Sequence, residues 1–457
     1  MADRTLLPGA RALVVPGARA LVVLGASLAL LAAGCGEQAS DGKGSRGSGG
    51  GNPVSTPTAS RPVPSDGKGS KDPDDINGDG HRDLLVPLPS RDENAEGRTA
   101  VVFGSAKGLD PSTHAVYDYL PGTVTTADLD GDGYPDFVSD ADGSTEQGQP
   151  TVDWGGPGGP KPGAEPTRIR AADAGLSGPV RGDFDGDGHH DIAALRQDGS
   201  VTLLYGPFTR SGAPARTDTR PGGGSWLAAD DIAPSGKPRA TGLLVHKGDD
   251  GEQTGGVLYP ARTGSGLSRT PVELREGNAV AFGDYDGDGA RDLAIGDNGS
   301  RNNEPDTEEE PETVFSLAIY PGKGGDPVTH KIPESRENSY YGPGDYTSAD
   351  PDGDGRDVLV VATDDGALLI DGGKKRTVVR REGPSRLDGK KIRAGSRDAR
   401  LYSAADFDAD GKEELILNWG ASTLFMYGEK ATHWWLTDGT SSRDKTAFAT
   451  TSFTGRG

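Results

Sequence analysis

A nine-residue string of alternating carboxylates, Asp128-Leu129-Asp130-Gly131-Asp132-Gly133-Tyr134-Pro135-Asp136, recurs along the chain and limits what it can fold into. Copies in the same frame are Asp75-Ile76-Asn77-Gly78-Asp79-Gly80-His81-Arg82-Asp83, Asp183 to Asp191, Asp284 to Asp292 and Asp406 to Glu414, the last closing on Glu. The copy at Asp350 is one residue shorter, so its closing carboxylate is read as Asp357. The interval from Asp183 to Asp284 is about twice a typical one, and near its middle Ala228-Ala229-Asp230-Asp231-Ile232 precedes the apolar run Gly242-Leu243-Leu244-Val245. This reads as a further copy that has lost its carboxylates, which makes seven units of similar length.

Each unit carries the same strand pattern. A short apolar run follows the loop, as in Asp83-Leu84-Leu85-Val86 or Asp292-Leu293-Ala294-Ile295. A second often ends in aromatic-Gly, as in Val101-Val102-Phe103-Gly104 and Leu203-Leu204-Tyr205-Gly206. A third is more polar (His114-Ala115-Val116-Tyr117), and a fourth leads into the next loop (Val280-Ala281-Phe282-Gly283). Four short strands per unit, with no helical periodicity from residue 75 onward, predict an all-β, seven-bladed β-propeller over residues 75–457. The abundance of glycine, 72 residues, suits its tight turns. The Gly-, Ser- and Pro-rich residues 35–74 run straight into the first loop, so blade one lacks a leading strand. The segment Ala447-Phe448-Ala449-Thr450-Thr451-Ser452-Phe453 is expected to supply it, closing the ring through the C-terminal strand.

With these loops and strands the chain resembles the FG-GAP or VCBS repeat family, best known from the N-terminal propellers of integrin α-subunits. The resemblance covers residues 75–457 and implies calcium in the loops.

The chemistry of the loop supports the same ion. Ca²⁺ takes six to eight hard oxygen donors, and alternating carboxylates in a tight turn aim their oxygens at one centre. The expected ligands are Asp75, Asn77, Asp79 and Asp83 in loop one; Asp128, Asp130, Asp132 and Asp136 in loop two; and Asp183, Asp185, Asp187 and Asp191 in loop three. Loop five offers Asp284, Asp286, Asp288 and Asp292; loop six Asp350, Asp352, Asp354 and Asp357; loop seven Asp406, Asp408, Asp410 and Glu414. At the seventh place a backbone carbonyl is expected to face the ion, from His81, Tyr134, His189, Ala290 and Lys412, without use of the imidazoles. Six Ca²⁺ ions are expected, with metal in blade four left open. An EF-hand would close at position twelve between helices, whereas these loops close at position nine between strands.

Residues 1–34 read as an export signal: Arg4, Arg11 and Arg19 precede an apolar run from Ala20 to Ala33 that is too short to span a membrane as a mature helix. Leu31-Ala32-Ala33-Gly34-Cys35 resembles a bacterial lipobox, which makes Cys35, the sole cysteine, the expected lipidation site. Residues 35–74, rich in Gly, Ser, Pro and Lys, are expected to form a disordered tether. The expected location is therefore the outer face of the cell membrane, reached through the lipid anchor only.

A net charge of −22 argues against a nucleic-acid partner. No His-Glu-x-x-His, Gly-x-Ser-x-Gly or phosphate-binding loop is present, so catalysis is not the leading expectation. Arg181-Gly182-Asp183 spells an integrin-ligand tripeptide, but its Asp opens a metal loop and the match is read as coincidence. Function is expected on the face opposite the acidic loops, where the insertion from Asp297 to Glu312, the stretch with Tyr340 and Tyr341, and the basic stretch from Glu382 to Arg400 fall in neighbouring blades. The leading expectation is a binding or adhesion module for a protein or glycan; the alternative is a polysaccharide hydrolase or lyase on a propeller scaffold.

Overall fold

The fold is taken from a computed structural model. It describes residues 54, 55, 57 and 67–453, the latter with breaks at 89–97, 119, 122–123, 141–147, 172–174, 249–252, 263, 300–311, 335–344, 364–365, 373–374, 388, 422–430 and 440–442. Cys35, the export segment, Tyr340, Tyr341 and most of the Asp297 to Glu312 insertion lie outside these residues.

Short runs of Val, Leu, Ile and Ala, separated by Gly- and Asp-rich turns, pair as antiparallel meanders. The seven sheets follow one another in sequence. Blade two is typical, with Thr125–Ala127, Asp136–Ser139, Thr151–Asp153 and Thr167–Arg168 pairing in chain order. The acidic loop joins the first, innermost strand to the second. The inner strands of the later blades are Ser177–Gly182, Trp226–Ala229, Ala279–Gly283, Tyr346–Ala349 and Arg400–Ala405. Blade four is a full four-stranded sheet, as the doubled interval implied, although its acidic loop is lost.

The core is distributed over the blade junctions as six apolar clusters, five of them at one junction each and the last spanning two. Val101, Phe103 and Tyr117 of blade one meet Phe137 of blade two, and Val138 and Val152 meet Ile192 and Leu204 of blade three. Leu203 and Tyr205 meet Leu243 and Val257 of blade four, Leu244 meets Leu293 of blade five, and Leu317 meets Leu359 of blade six. The last cluster joins Val360 of blade six, Leu417 and Trp434 of blade seven, and Leu84, Val86 and Val102 of blade one. That cluster closes the ring.

Closure differs from the sequence expectation in one respect. Asp444–Ala449 does not pair into blade one, which has three strands, Leu84–Leu88, Arg98–Val102 and His114–Tyr117. It pairs with His433–Thr437 as the outer strand of blade seven. The reason lies in strand order. The run after loop seven is Glu414–Trp419, His433–Thr437 is second, and the C-terminal strand is the third, which in every other four-stranded blade is the outermost position. The seam is sealed by side chains instead. Phe453 stacks on His114 of blade one at 3.8 Å with an interplanar angle of 4°, and Tyr402 Oη donates to the Leu85 carbonyl at 3.2 Å. Ahead of the ring, Ser55 bridges in parallel to Phe448, with Ser55 N–H donating to the Ala447 carbonyl and Ala449 N–H to the Ser55 carbonyl.

Candidate metal loops

Every acidic loop is held by its own backbone. The first carboxylate accepts from the N–H at position six: Asp75 from Gly80 (2.8 Å), Asp128 from Gly133 (3.1 Å), Asp183 from Gly188 (3.1 Å), Asp284 from Gly289 (2.9 Å), Asp350 from Gly355 (2.8 Å) and Asp406 from Gly411 (2.9 Å). The position-five carboxylate accepts from the N–H at position seven, as Asp79 does from His81, Asp132 from Tyr134 and Asp187 from His189. Ala290, Arg356 and Lys412 donate in the same way to Asp288, Asp354 and Asp410. These bonds require left-handed backbone at positions four and six, which glycine supplies without a Cβ penalty, for example Gly131 (φ 76°) and Gly133 (φ 90°). Loop seven departs, with Ala409 at φ 56° in the fourth place.

The closing carboxylate is a staple as well as a candidate ligand. Asp83, Asp136, Asp191 and Asp292 each accept one N–H from position two, from Ile76, Leu129, Phe184 and Tyr285, at 2.7–3.0 Å. The other oxygen of each accepts from the glycine that ends the second run, Gly104, Gly155, Gly206 and Gly322, at 2.7–2.8 Å. This gives the aromatic-Gly signature a physical reason. A Cβ at any of these four glycines would collide with a backbone carbonyl of the loop, that of Arg82, Pro135, His190 or Arg291.

Carboxylate oxygens in five loops lie within 4.8 Å of one another: Asp128, Asp130 and Asp132; Asp183, Asp185 and Asp191; Asp284, Asp286 and Asp292; Asp350, Asp352 and Asp354; and Asp406, Asp408 and Glu414. Loop one has Asn77 at its third place, hydrogen-bonded to Asp79 at 3.1 Å. The residues fit a hard divalent cation on two further counts. Asp128 Oδ1 is buried without a hydrogen-bond partner. Burial, reinforced by neighbouring carboxylates, pushes Asp136 and Asp191 up to about 8 and Asp292 up to about 6. Groups placed so close and so dry resist ionising together unless a cation joins them.

Loop six corrects the sequence reading. Asp357 does not close its own loop; it is the eighth residue, and Val358 takes the ninth place. Its Oδ2 accepts the Asp284 N–H of blade five at 2.7 Å and pairs with Arg291 at 2.5 Å. This is one instance of a repeated latch that the sequence did not disclose. Asp128 N–H donates to His190 Nδ1 (2.8 Å), Asp183 N–H to Thr241 Oγ1 (3.0 Å) and Asp350 N–H to Glu413 Oε2 (2.9 Å). In return the N–H groups of Thr241, Asp357 and Glu413 donate to the carbonyls of Asp183, Asp284 and Asp350. Four loops, those opening at Asp128, Asp183, Asp284 and Asp350, are thereby tied to the next blade. Burial lowers His190 to about 3, with Arg181 and Lys71 adding to the effect, so its Nδ1 is free to accept.

In blade four Asp230 is 2% exposed and is neutralised by two arginines, Arg239 and Arg291, the latter at 3.0 Å. Arg181 makes a two-pronged pair with Asp74 at 2.6 and 2.7 Å and also bonds Thr126. The Arg181-Gly182-Asp183 tripeptide is thus internal: its cation is paired with Asp74 beside a cavity also lined by Thr126 and Asp231, and its carboxylate lies in a loop.

Residues 75–139 match the FG-GAP-like repeat family. No curated protein matches the chain in sequence. Similar solved structures include BBS1N in complex with ARL6DN (10% identity, 76% of this chain and 93% of that chain, TM-score 0.38) and a mutant of Synechocystis apocarotenoid oxygenase (12%, 84% and 92%, TM-score 0.37). A mutant of the Aleuria aurantia lectin in complex with α-methyl-L-fucoside is another (8%, 78% and 91%, TM-score 0.32). The repeat match and the sheet arrangement together make this chain a seven-bladed β-propeller that carries an FG-GAP-like repeat.

Proposed function

We propose that the protein is a calcium-stiffened binding module, exported and held at the membrane by a lipid on Cys35. The observation that carries this reading is the convergence of carboxylates in five loops on one face of the ring. A cluster of all-oxygen donors suits Ca²⁺. Metal there fixes the scaffold and leaves the opposite face to a partner.

The basic stretch supports a partner surface on that opposite face. It leaves the outer strand of blade six, forms a small hairpin of Arg386–Leu387 and Lys390–Lys391, and returns through a 3₁₀ turn at Ala394–Ser396. Arg386, Lys390, Lys391 and Arg393 are exposed on it. In a chain of net charge −22, four exposed cations on one excursion favour an anionic glycan or an acidic protein surface. Screening the purified protein on a glycan array with Ca²⁺ present tests this: binding that weakens with added salt and is lost in the Lys390→Ala/Lys391→Ala variant supports it. Binding unaffected by both changes moves the site elsewhere.

A further inference from the structure

Loop seven differs from its counterparts in what faces its carboxylates. Lys445, on the outer strand of the same blade, places its Nζ 2.5 Å from Glu414 Oε1, 2.8 Å from Asp408 Oδ2 and 3.3 Å from Asp410 Oδ2. These are the carboxylates at positions nine, three and five, so the ammonium sits among the groups that would surround an ion.

We propose that blade seven takes the Lys445 ammonium as the resident cation of its loop, and that this excludes Ca²⁺ from a loop whose carboxylate set is otherwise complete. The proposal rests on the reading of the other loops as calcium sites.

Three observations support it. First, Glu414 lacks the glycine staple. The second run of this blade ends Leu436-Thr437-Asp438; Glu414 is 1% exposed, and of its two oxygens only Oε2 accepts a backbone N–H, from Phe407 at 3.0 Å. Lys445 fills the place that Gly104, Gly155, Gly206 or Gly322 takes elsewhere. Second, among the described residues the other cations that reach the loops touch only opening or middle carboxylates; Lys71, 48% exposed, lies 3.5 Å from Asp128. Arg210 contacts Asp130 and Asp132, Arg216 contacts Asp185, and Lys323 contacts Asp288, with the basic side chains 50%, 50% and 62% exposed. Among the described residues none of these reaches a closing carboxylate, whereas Lys445 does and is 21% exposed. Third, the same ring makes an equivalent substitution in blade four, where Arg239 and Arg291 neutralise Asp230 in a loop without the acidic string.

An ammonium already held by three carboxylates must be expelled before a metal can bind, and the reduced negative charge weakens the attraction that draws a divalent ion in. Removing the ammonium should therefore uncover a site.

Calcium stoichiometry measured by equilibrium dialysis tests this on the full-length chain. Lys445→Met is expected to bind one more Ca²⁺ per chain than the wild type. Adding Asp408→Asn to Lys445→Met should remove that extra ion, while Asp408→Asn alone should leave the wild-type count unchanged. A circular-dichroism melt of each variant confirms folding, and Lys445→Gln provides a polar substitute should the methionine variant not fold. If wild type binds Ca²⁺ and neither Lys445 variant gains an ion, or if Asp408→Asn alone loses one, the proposal is wrong and the calcium reading stands. If no protein binds Ca²⁺, both fail.

Discussion

At Gly155 the absence of a side chain decides the geometry of a whole loop. Its N–H holds Asp136 Oδ1 at 2.8 Å while the Pro135 carbonyl lies where a Cβ would be. Gly155→Ala is therefore expected to cost about 1–3 kcal/mol by overpacking, read as a lower denaturant midpoint. Ala409 presents the reverse case. At φ 56° it occupies backbone that its loop-four-position counterparts fill with glycine, and Ala409→Gly should raise stability by about 1 kcal/mol. The sequence disclosed the alternating carboxylates, because their spacing is local. It did not disclose why glycine follows the aromatic, because the partner of Gly155 is a carboxylate 19 residues earlier. Asp357 shows a related limit: counting acids cannot tell a residue that points into its own loop from one that latches Asp284 of the preceding blade.

The C-terminal strand shows what strand order adds to strand existence. Its apolar run was evident in the sequence, and so was a role near the seam, yet its sheet was not, since the same alternation suits an inner or an outer position. In place it buries Phe448 completely and Phe453 to 3% exposure, in a cluster that reaches blade one. Two changes separate these roles. Removing residues 445–457 should strip the outer strand from blade seven, expose the cluster beneath it and lower the melting temperature by many degrees. Phe453→Ala leaves the pairing intact and removes the ring that stacks on His114 and on Phe448, at an expected cost of about 3 kcal/mol. A urea midpoint unchanged by Phe453→Ala would place ring closure elsewhere. The lost loop of blade four was legible as a doubled interval, whereas its arginine replacement was not, because Arg291 arrives from the next blade.

Across the whole molecule, carboxylates gathered on one face of the ring make the stability of the metal-free protein depend on pH. Burial, with help from neighbouring acids, places Asp136 and Asp191 at about 8, and burial holds Glu414 at about 7 despite Lys445. A carboxyl whose folded-state pKa lies above its unfolded value favours folding while protonated. That contribution is complete below about pH 4 and is lost as pH rises through the folded values. In excess chelator the melting temperature should fall between about pH 5 and about pH 8, and Ca²⁺ should flatten the slope by compensating the charge. The most direct test of the account is the melting temperature of the full chain at about pH 7.5, in saturating Ca²⁺ and in excess EDTA. Each site filled at a hundred times its Kd adds about 2.7 kcal/mol, so several filled loops predict a rise of many degrees with calcium. Identical melting curves in the two conditions would contradict the claim that these loops hold calcium to stiffen the ring.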